Sequence, residues 1–315
     1  MTAERRSRSV GEVLVVRRLA ILAFTAVAAP SLCFLLFEGL RMDPFSAGDL
    51  LAEYRAFLSA YLLHGDLGRT EQFDEPVTAV IREGMAADHV MLLGGLGFAL
   101  AAGLGAGLLV LARPRTAVRR GVDLATGVAL SLPVYWMGFV ILMLVASNTG
   151  LLVQLPFVSG AGQYEELPSD PLAFIRALWV PCIVVGLPTA AGVYRMTIAS
   201  AREVLGEDFV RTARGKGLRE RRVLLRHVLP VSGVPVLILA ASQVNLLITN
   251  VSLMQSAFDI PGSFRYLVAN TANADLSMLY GLIVWGCLLI AIANFAVDVL
   301  QSRLDPRVGA AVRRG

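Results

Sequence analysis

The chain has 315 residues, 56% of them hydrophobic and 17% charged, with a net charge of +4. That is too apolar for an ordinary soluble domain, and the charges gather in short islands between long apolar runs, the pattern of a polytopic membrane protein. The basic excess therefore describes one face of a membrane protein and gives little support to nucleic-acid binding.

A helix needs about 20 apolar residues to cross the ~30 Å hydrocarbon layer, and six segments qualify: Leu19–Phe37, Val90–Ala112, Leu124–Ser147, Ala177–Tyr194, Val231–Phe258 and Leu276–Val297. Residues 1–18 precede them as a basic terminus with Arg5, Arg6, Arg8, Arg17 and Arg18. The first segment has small residues at Ala26, Ala28 and Ala29, as a cleaved leader would, but its length and Pro30 at the point of cleavage favour a retained span.

Residues 38–89 form a loop in which Leu51, Tyr54, Leu58 and Tyr61 fall at three- and four-residue steps, predicting an interfacial helix. The second span repeats Gly95, Ala99, Gly103 and Gly107, a smooth strip that lets another helix backbone come close. After the third span, Asn148 to Arg176 is rich in Gly, Pro and acidic residues and reads as irregular. The fourth span is the shortest and carries Pro181, Pro188 and Gly192.

Residues 195–230 connect the fourth and fifth spans. Arg195, Arg202, Arg211, Arg214, Lys216, Arg219, Arg221, Arg222 and Arg226 all lie here, among good helix formers interrupted at Gly206, Gly215 and Gly217 and terminated by Pro230. Leu205, Phe209 and Ala213 line up at four-residue steps, an apolar ridge suited to a partner's groove, with Arg211, Arg214 and Lys216 on other faces. A solvated loop resting on anionic head groups is the competing reading.

The fifth span carries Ser242, Asn245, Thr249, Ser252 and Ser256 at steps of three and four. Such a polar face is costly against lipid, so it meets protein or water: interhelical hydrogen bonding explains any one residue, and the wall of a polar pathway explains the stripe. The sixth span is bounded by Asp275 and Asp298, read as end anchors, and residues 298–315 close the chain with Arg303, Arg307, Arg313 and Arg314. With residues 1–18 inside, the basic islands lie on the cytoplasmic side, leaving Arg41, Arg55, Arg69, Arg82, Arg176 and Arg265 outside. Both termini are then cytoplasmic, and the whole chain is one transmembrane domain, all-α with six spans.

Cys33, Cys182 and Cys287 lie in three different apolar segments and read as packing residues, while His64, His89 and His227 are too scattered for a metal site. A P-loop needs Lys followed by Ser or Thr, yet the only lysine, Lys216, is followed by Gly217. No His-Glu-x-x-His or Gly-x-Ser-x-Gly pattern is present, and Ser159, Asp170 and His227 fall on opposite sides of the membrane. The spans as drawn hold no Asp, Glu, Lys or Arg for ion coupling. These absences weigh against an intramembrane enzyme and a stand-alone secondary transporter.

The stretch Asp208-Phe209-Val210-Arg211-Thr212-Ala213-Arg214-Gly215-Lys216-Gly217, ending downstream in His227-Val228-Leu229-Pro230, resembles the cytoplasmic signature of the permease subunits of binding-protein-dependent ABC importers, in their dipeptide/oligopeptide/nickel branch. That signature reads Glu-Ala-Ala, three residues, Gly, nine residues, Ile-x-Leu-Pro. Arg211-Thr212-Ala213, Gly217 and Leu229-Pro230 occupy its places, with Arg211 where Glu is usual and His227 where Ile is usual. Gly65-Asp66-Leu67-Gly68-Arg69, Ser131-Leu132-Pro133-Val134-Tyr135-Trp136, Phe258-Asp259-Ile260-Pro261-Gly262 and Leu304-Asp305-Pro306-Arg307 are similar to the same branch in order and spacing, whereas Gly39 to Pro44 matches poorly.

The resemblance implies a coupling helix from about Leu205 to Gly217, with Leu205, Asp208, Phe209, Arg211, Ala213, Arg214, Lys216 and Gly217 meeting an ATP-binding subunit. It further implies a second homologous permease, an extracytoplasmic solute-binding protein and a place in the bacterial cytoplasmic membrane. No cofactor belongs to this chain, since ATP and Mg would sit on the partner subunits. Pro261-Gly262 would reach the receptor or the pathway mouth, or form an ordinary turn. The cargo implied is a peptide, with nickel or another small solute as the alternative.

Overall fold

In the computed structural model the described residues are 19–36 except 22, 47–113 except 72 and 73, 116–146, 164, 169–273 and 275–304. The helices are α1 (Leu19–Leu36), α2 (Ala47–His64), α3 (Val77–Ala112), α4 (Thr116–Ser131), α5 (Val134–Ala146) and α6 (Pro171–Leu205). They continue with α7 (Asp208–Gly215), α8 (Glu220–Val223), α9 (Leu229–Ser242), α10 (Val244–Phe258), α11 (Tyr266–Asn273) and α12 (Leu276–Leu304). Among the described residues the fold is all-α, with one isolated antiparallel bridge, Arg69 to Pro76. Five helices are long and apolar enough to cross a membrane, and a bent pair, α4 with α5, makes a sixth candidate. The expected terminus at residues 1–18, residues 305–315 of the expected terminus 298–315, Gly39 to Pro44 and most of Asn148 to Arg176 lie outside the described residues, whereas residues 298–304 are the end of α12.

The backbone gathers into two compact units, one drawn from the chain up to Asp88 and from Pro261 onward, the other running from His89 to Ile260. In the first, α2 is the predicted helix of the 38–89 loop, but Leu51 is exposed and the packing face is aromatic. Phe57 stacks on Phe34 with centroids 4.8 Å apart and meets the Tyr280 ring edge-on, while Tyr54 donates to Ser31 at 2.9 Å. The Gly65–Arg69 motif is a tight turn. Gly65 and Gly68 have φ of 66° and 90°, Tyr280 donates to the Leu67 carbonyl at 2.7 Å, and a Cβ on Gly68 would lie 2.7 Å from that same hydroxyl. Leu67, Val77, Ile81, Met278 and Leu282 form the core beneath it.

Helix α3 begins at Val77, three turns before the predicted span, so Asp88 is helical rather than part of a loop. Its carboxylate is fully buried, accepting the Ser263 N–H at 3.0 Å and the Ser263 hydroxyl. One turn earlier, a Cβ on Gly84 would run into the Gly262–Ser263 backbone. Positions 84 and 88 of one helix face thus hold a single loop.

In the second unit α6 is the central rod. It begins at Asp170, whose Oδ1 accepts from Leu172 and Ala173 at 2.9 and 3.0 Å, with Pro171 in the first turn. Pro181 and Pro188 do not break it, because a helix enclosed by neighbours can absorb their missing hydrogen bonds. The glycine strip of α3 lies on it. A Cβ on Gly95 would meet Val185 at 3.0 Å, one on Gly103 Val193 at 2.5 Å, and one on Gly107 Thr197 at 2.6 Å. Both partners advance together along their chains, so α3 and α6 run parallel, as the second and fourth spans of a bundle must.

Two predicted spans differ from the structure. The third is two helices that turn by 101° at Leu132–Pro133, because Pro133 removes an N–H and disfavours the helical conformation in the residue before it. The fifth is divided at Gln243 (φ −84°, ψ −4°), whose N–H is shared between Leu239 and Ala240. Pro230, expected to end the connection, lies inside a helix running from Glu220 to Ser242. A π-helical turn at Leu224–Val228 widens the backbone just ahead of the ring.

Candidate functional site

The segment between α6 and α9 is built by two changes of backbone direction. Helix α6 ends as the Gly206 N–H reaches back to Glu203 at 3.1 Å, and Glu207 is extended (φ −72°, ψ 148°). Helix α7 then starts with Asp208, whose negative charge suits the positive end of the helix. At the far end the Gly217 N–H bonds the Arg214 carbonyl at 2.9 Å and the Leu218 N–H the Ala213 carbonyl at 3.4 Å. This is a Schellman cap, and it requires the left-handed residue that Gly217 supplies at φ 73°. Leu218 closes the motif by packing beside Ala213.

Val210 and Ala213, three apart on α7, are buried with Ala201, Val223, Leu224 and Val228, and Leu111, Val204 and Leu205 rim the cluster. The expected ridge of Leu205, Phe209 and Ala213 is therefore divided. Ala213 is turned inward and Leu205 is half-buried at the edge, whereas Phe209 is 43% exposed. The extended Glu207 resets the helical phase, so a four-residue step counted from α6 does not carry into α7.

Charge on α7 is likewise divided. Arg214 makes a two-point pair with Glu220 at 3.1 and 2.5 Å, which ties α7 to α8. Arg211 lies 3.4 Å from Asp208, both well exposed, a pair of little strength. Asp208, Phe209, Arg211 and Lys216 thus form the outward display, one aromatic ring among charges, on a helix held in place by Val210 and Ala213.

The polar stripe is shared between two helices. Ser242 ends α9 and donates to Leu239 at 2.7 Å. Asn245, Thr249 and Ser256 are exposed on α10, and Ser252 is buried, its hydroxyl without a hydrogen-bond partner among the described residues. Two further polar residues of α10, Asn250 and Gln255, are buried on its protein side, and Asn250 donates to the Val185 carbonyl of α6 at 3.4 Å. Sequence reasoning missed both, although an Asn and a Gln in an apolar run signal a buried polar contact. Asp88 and the bond from Tyr194 to Asp123 at 2.6 Å were also missed. Among the described residues no group of three or more His, Cys, Asp or Glu could hold a metal ion.

Known proteins share this arrangement of sequence. The chain is 31% identical over 271 aligned positions to the dipeptide transport system permease protein of Escherichia coli (strain K12), covering 78% of either chain. It is 30% identical over 260 positions to the di/tripeptide transport system permease protein of Pseudomonas aeruginosa (strain UCBPP-PA14), covering 78% of this chain and 77% of that one. The oligopeptide transport system permease protein of Bacillus subtilis (strain 168) is 25% identical over 248 positions, with the same coverage. Residues 99–310, which include α7 with its cap and the polar stripe, match the family described as the inner membrane component of binding-protein-dependent transport systems. The chain belongs to that family.

Proposed function

We propose that this chain is one of two homologous membrane-spanning halves of an ATP-driven importer for di- and oligopeptides, with both termini and α7 in the cytoplasm. An extracytoplasmic solute-binding protein delivers the cargo, and separate ATP-binding subunits dock on α7. The observation that carries the reading is the construction of α7, a short capped helix bolted to α6 and α8 by Val210, Ala213 and Arg214 while it offers Phe209, Arg211 and Lys216 outward. A lever needs both a rigid root and a free recognition face, and an aromatic anchor ringed by charge is the composition of an interface hot spot. The peptide cargo is supported by the names of the three relatives.

In this reading the chain does no chemistry of its own. Nucleotide closes the ATP-binding subunits, α7 moves with them, and α6 carries the displacement to α10, whose exposed Asn245, Thr249 and Ser256 line the path. The test is reconstitution of the complete assembly in vesicles with radiolabelled dialanine presented on the receptor. ATP-dependent uptake is the expected result. Uptake of nickel but not of dialanine would move the cargo to the metal branch, and ATP-independent uptake by this chain alone would overturn the importer reading.

A further inference from the structure

If α7 receives the push of the motor, as proposed above, the next question is which elements follow α6. Val210 and Ala213 press on Ala201, and Leu111 touches both that cluster and a second one made by Val110, Tyr194 and Ile198, with Val122 of α4 at its edge. There the Tyr194 hydroxyl, on a ring only 3% exposed, donates to Oδ1 of Asp123 on α4 at 2.6 Å. Arg119, one turn away on α4, lies 3.5 Å from the other carboxylate oxygen.

One face of α4 packs on α6, with Val122 beside Tyr194 and Ala129 buried, and its other face is open. Gly121, Leu124 and Val128 are exposed, and the 101° turn at Leu132–Pro133 separates α4 from the direction of α5. Thr126 and Ser131 spend their hydroxyls on carbonyls of α4 itself. Among the described residues the bond from Tyr194 is thus the side-chain hydrogen bond that fastens α4 to another helix.

We infer that Tyr194 and Asp123 form a clasp that hands the displacement of α6 to α4, so that the first half of the bent third span moves with the motor alongside α10. Both are positioning residues. A hydroxyl on a carboxylate is a strong, directional bond, and its position at the junction of three helices lets it select which of them moves as one body.

The experiment uses the assembled transporter in vesicles, with Cys33, Cys182 and Cys287 replaced by alanine. One reporter cysteine is placed at Gly121→Cys, where a side chain meets open space, or at Thr249→Cys on α10. The probe is a water-soluble maleimide, applied without nucleotide and after trapping with ATP and vanadate. Both reporters are expected to change their labelling rate several-fold between the states. Tyr194→Phe, which keeps the packed ring and removes the donor, abolishes the change at position 121 and preserves it at 249. Asp123→Asn, whose amide oxygen still accepts, preserves both changes, whereas Asp123→Leu repeats the effect of Tyr194→Phe. A change at 121 that survives Tyr194→Phe overturns the clasp, and so does loss of the change at both reporters, because the bond then serves the bundle as a whole. Reporters that are indifferent to nucleotide before any clasp substitution overturn the coupling reading itself, and the clasp falls with it.

Discussion

Gly215 and Gly217 stand two positions apart at the end of α7, and the backbone makes opposite demands on them. Gly217 sits at φ 73°, where a Cβ is strained, while Gly215 is helical with open space around its missing side chain. Gly217→Ala is expected to lower stability by about 1–2 kcal/mol. Gly215→Ala is expected to be neutral or to add ~0.4–1 kcal/mol by restricting the unfolded chain. Thermal unfolding of the purified chain in detergent checks the pair, and equal effects would contradict the Schellman assignment. At Asp88 the issue is a buried donor. Asp88→Ala strips the acceptor from the Ser263 N–H, at a cost of about 1–3 kcal/mol, and should speed amide exchange across Pro261–Arg265. Asp88→Asn keeps a carbonyl oxygen in place and should protect those amides better than the alanine does.

At the scale of elements, composition located the apolar layer but not the ends of the helices. Hydropathy stops at Arg176 and Arg195, whereas α6 continues past both because helical hydrogen bonding is made by the backbone and is indifferent to the charge of a side chain. The shortest predicted span, with its two prolines, lies in the best enclosed of the five single-helix candidates, half of its apolar stretch being buried. The bend of the third span went unread although Pro133 signals it, and the break at Gln243 carries no such signal, since no Pro or Gly marks it. Gly95, Gly103 and Gly107 identified a close-packed face without naming its partner, which depends on tertiary arrangement. That face gives a sharp contrast. Gly103→Leu must force α3 from α6, costing on the order of 1–3 kcal/mol or more, whereas Gly97→Leu points into open space and should leave the chain monodisperse on size exclusion. Equal behaviour of the two would mean that α3 and α6 are not held at the glycine strip.

For the whole molecule, the question is whether α7 exists to complete the fold or to meet something outside it, and two neighbouring residues separate these roles. Val210 is fully buried and Phe209 is 43% exposed on the same short helix. The sequence made the basic segment, its acidic start and its terminal Gly217 legible, yet it placed Phe209 and Ala213 on one ridge because nothing in residue types announces that Glu207 is extended. Val210→Asp would bury an unpaired charge in the cluster with Ala201 and Val228, and would also forfeit the roughly 1.5–3 kcal/mol of a buried aliphatic side chain, so it should fail to give folded protein. Phe209→Asp removes only an exposed ring. A chain carrying it is expected to insert, purify and unfold like the unaltered one, because no buried contact of α7 depends on that side chain. If α7 is a docking lever, the same chain should lose the ATP-binding subunits on gentle solubilisation, as an interface does when its central aromatic anchor is replaced by a charge. Retention of those subunits with undiminished ATP-driven uptake would make Phe209 a bystander. The docking face would then have to be sought among Arg211 and Lys216, where charge alone sets the orientation of a partner and rising salt should release it.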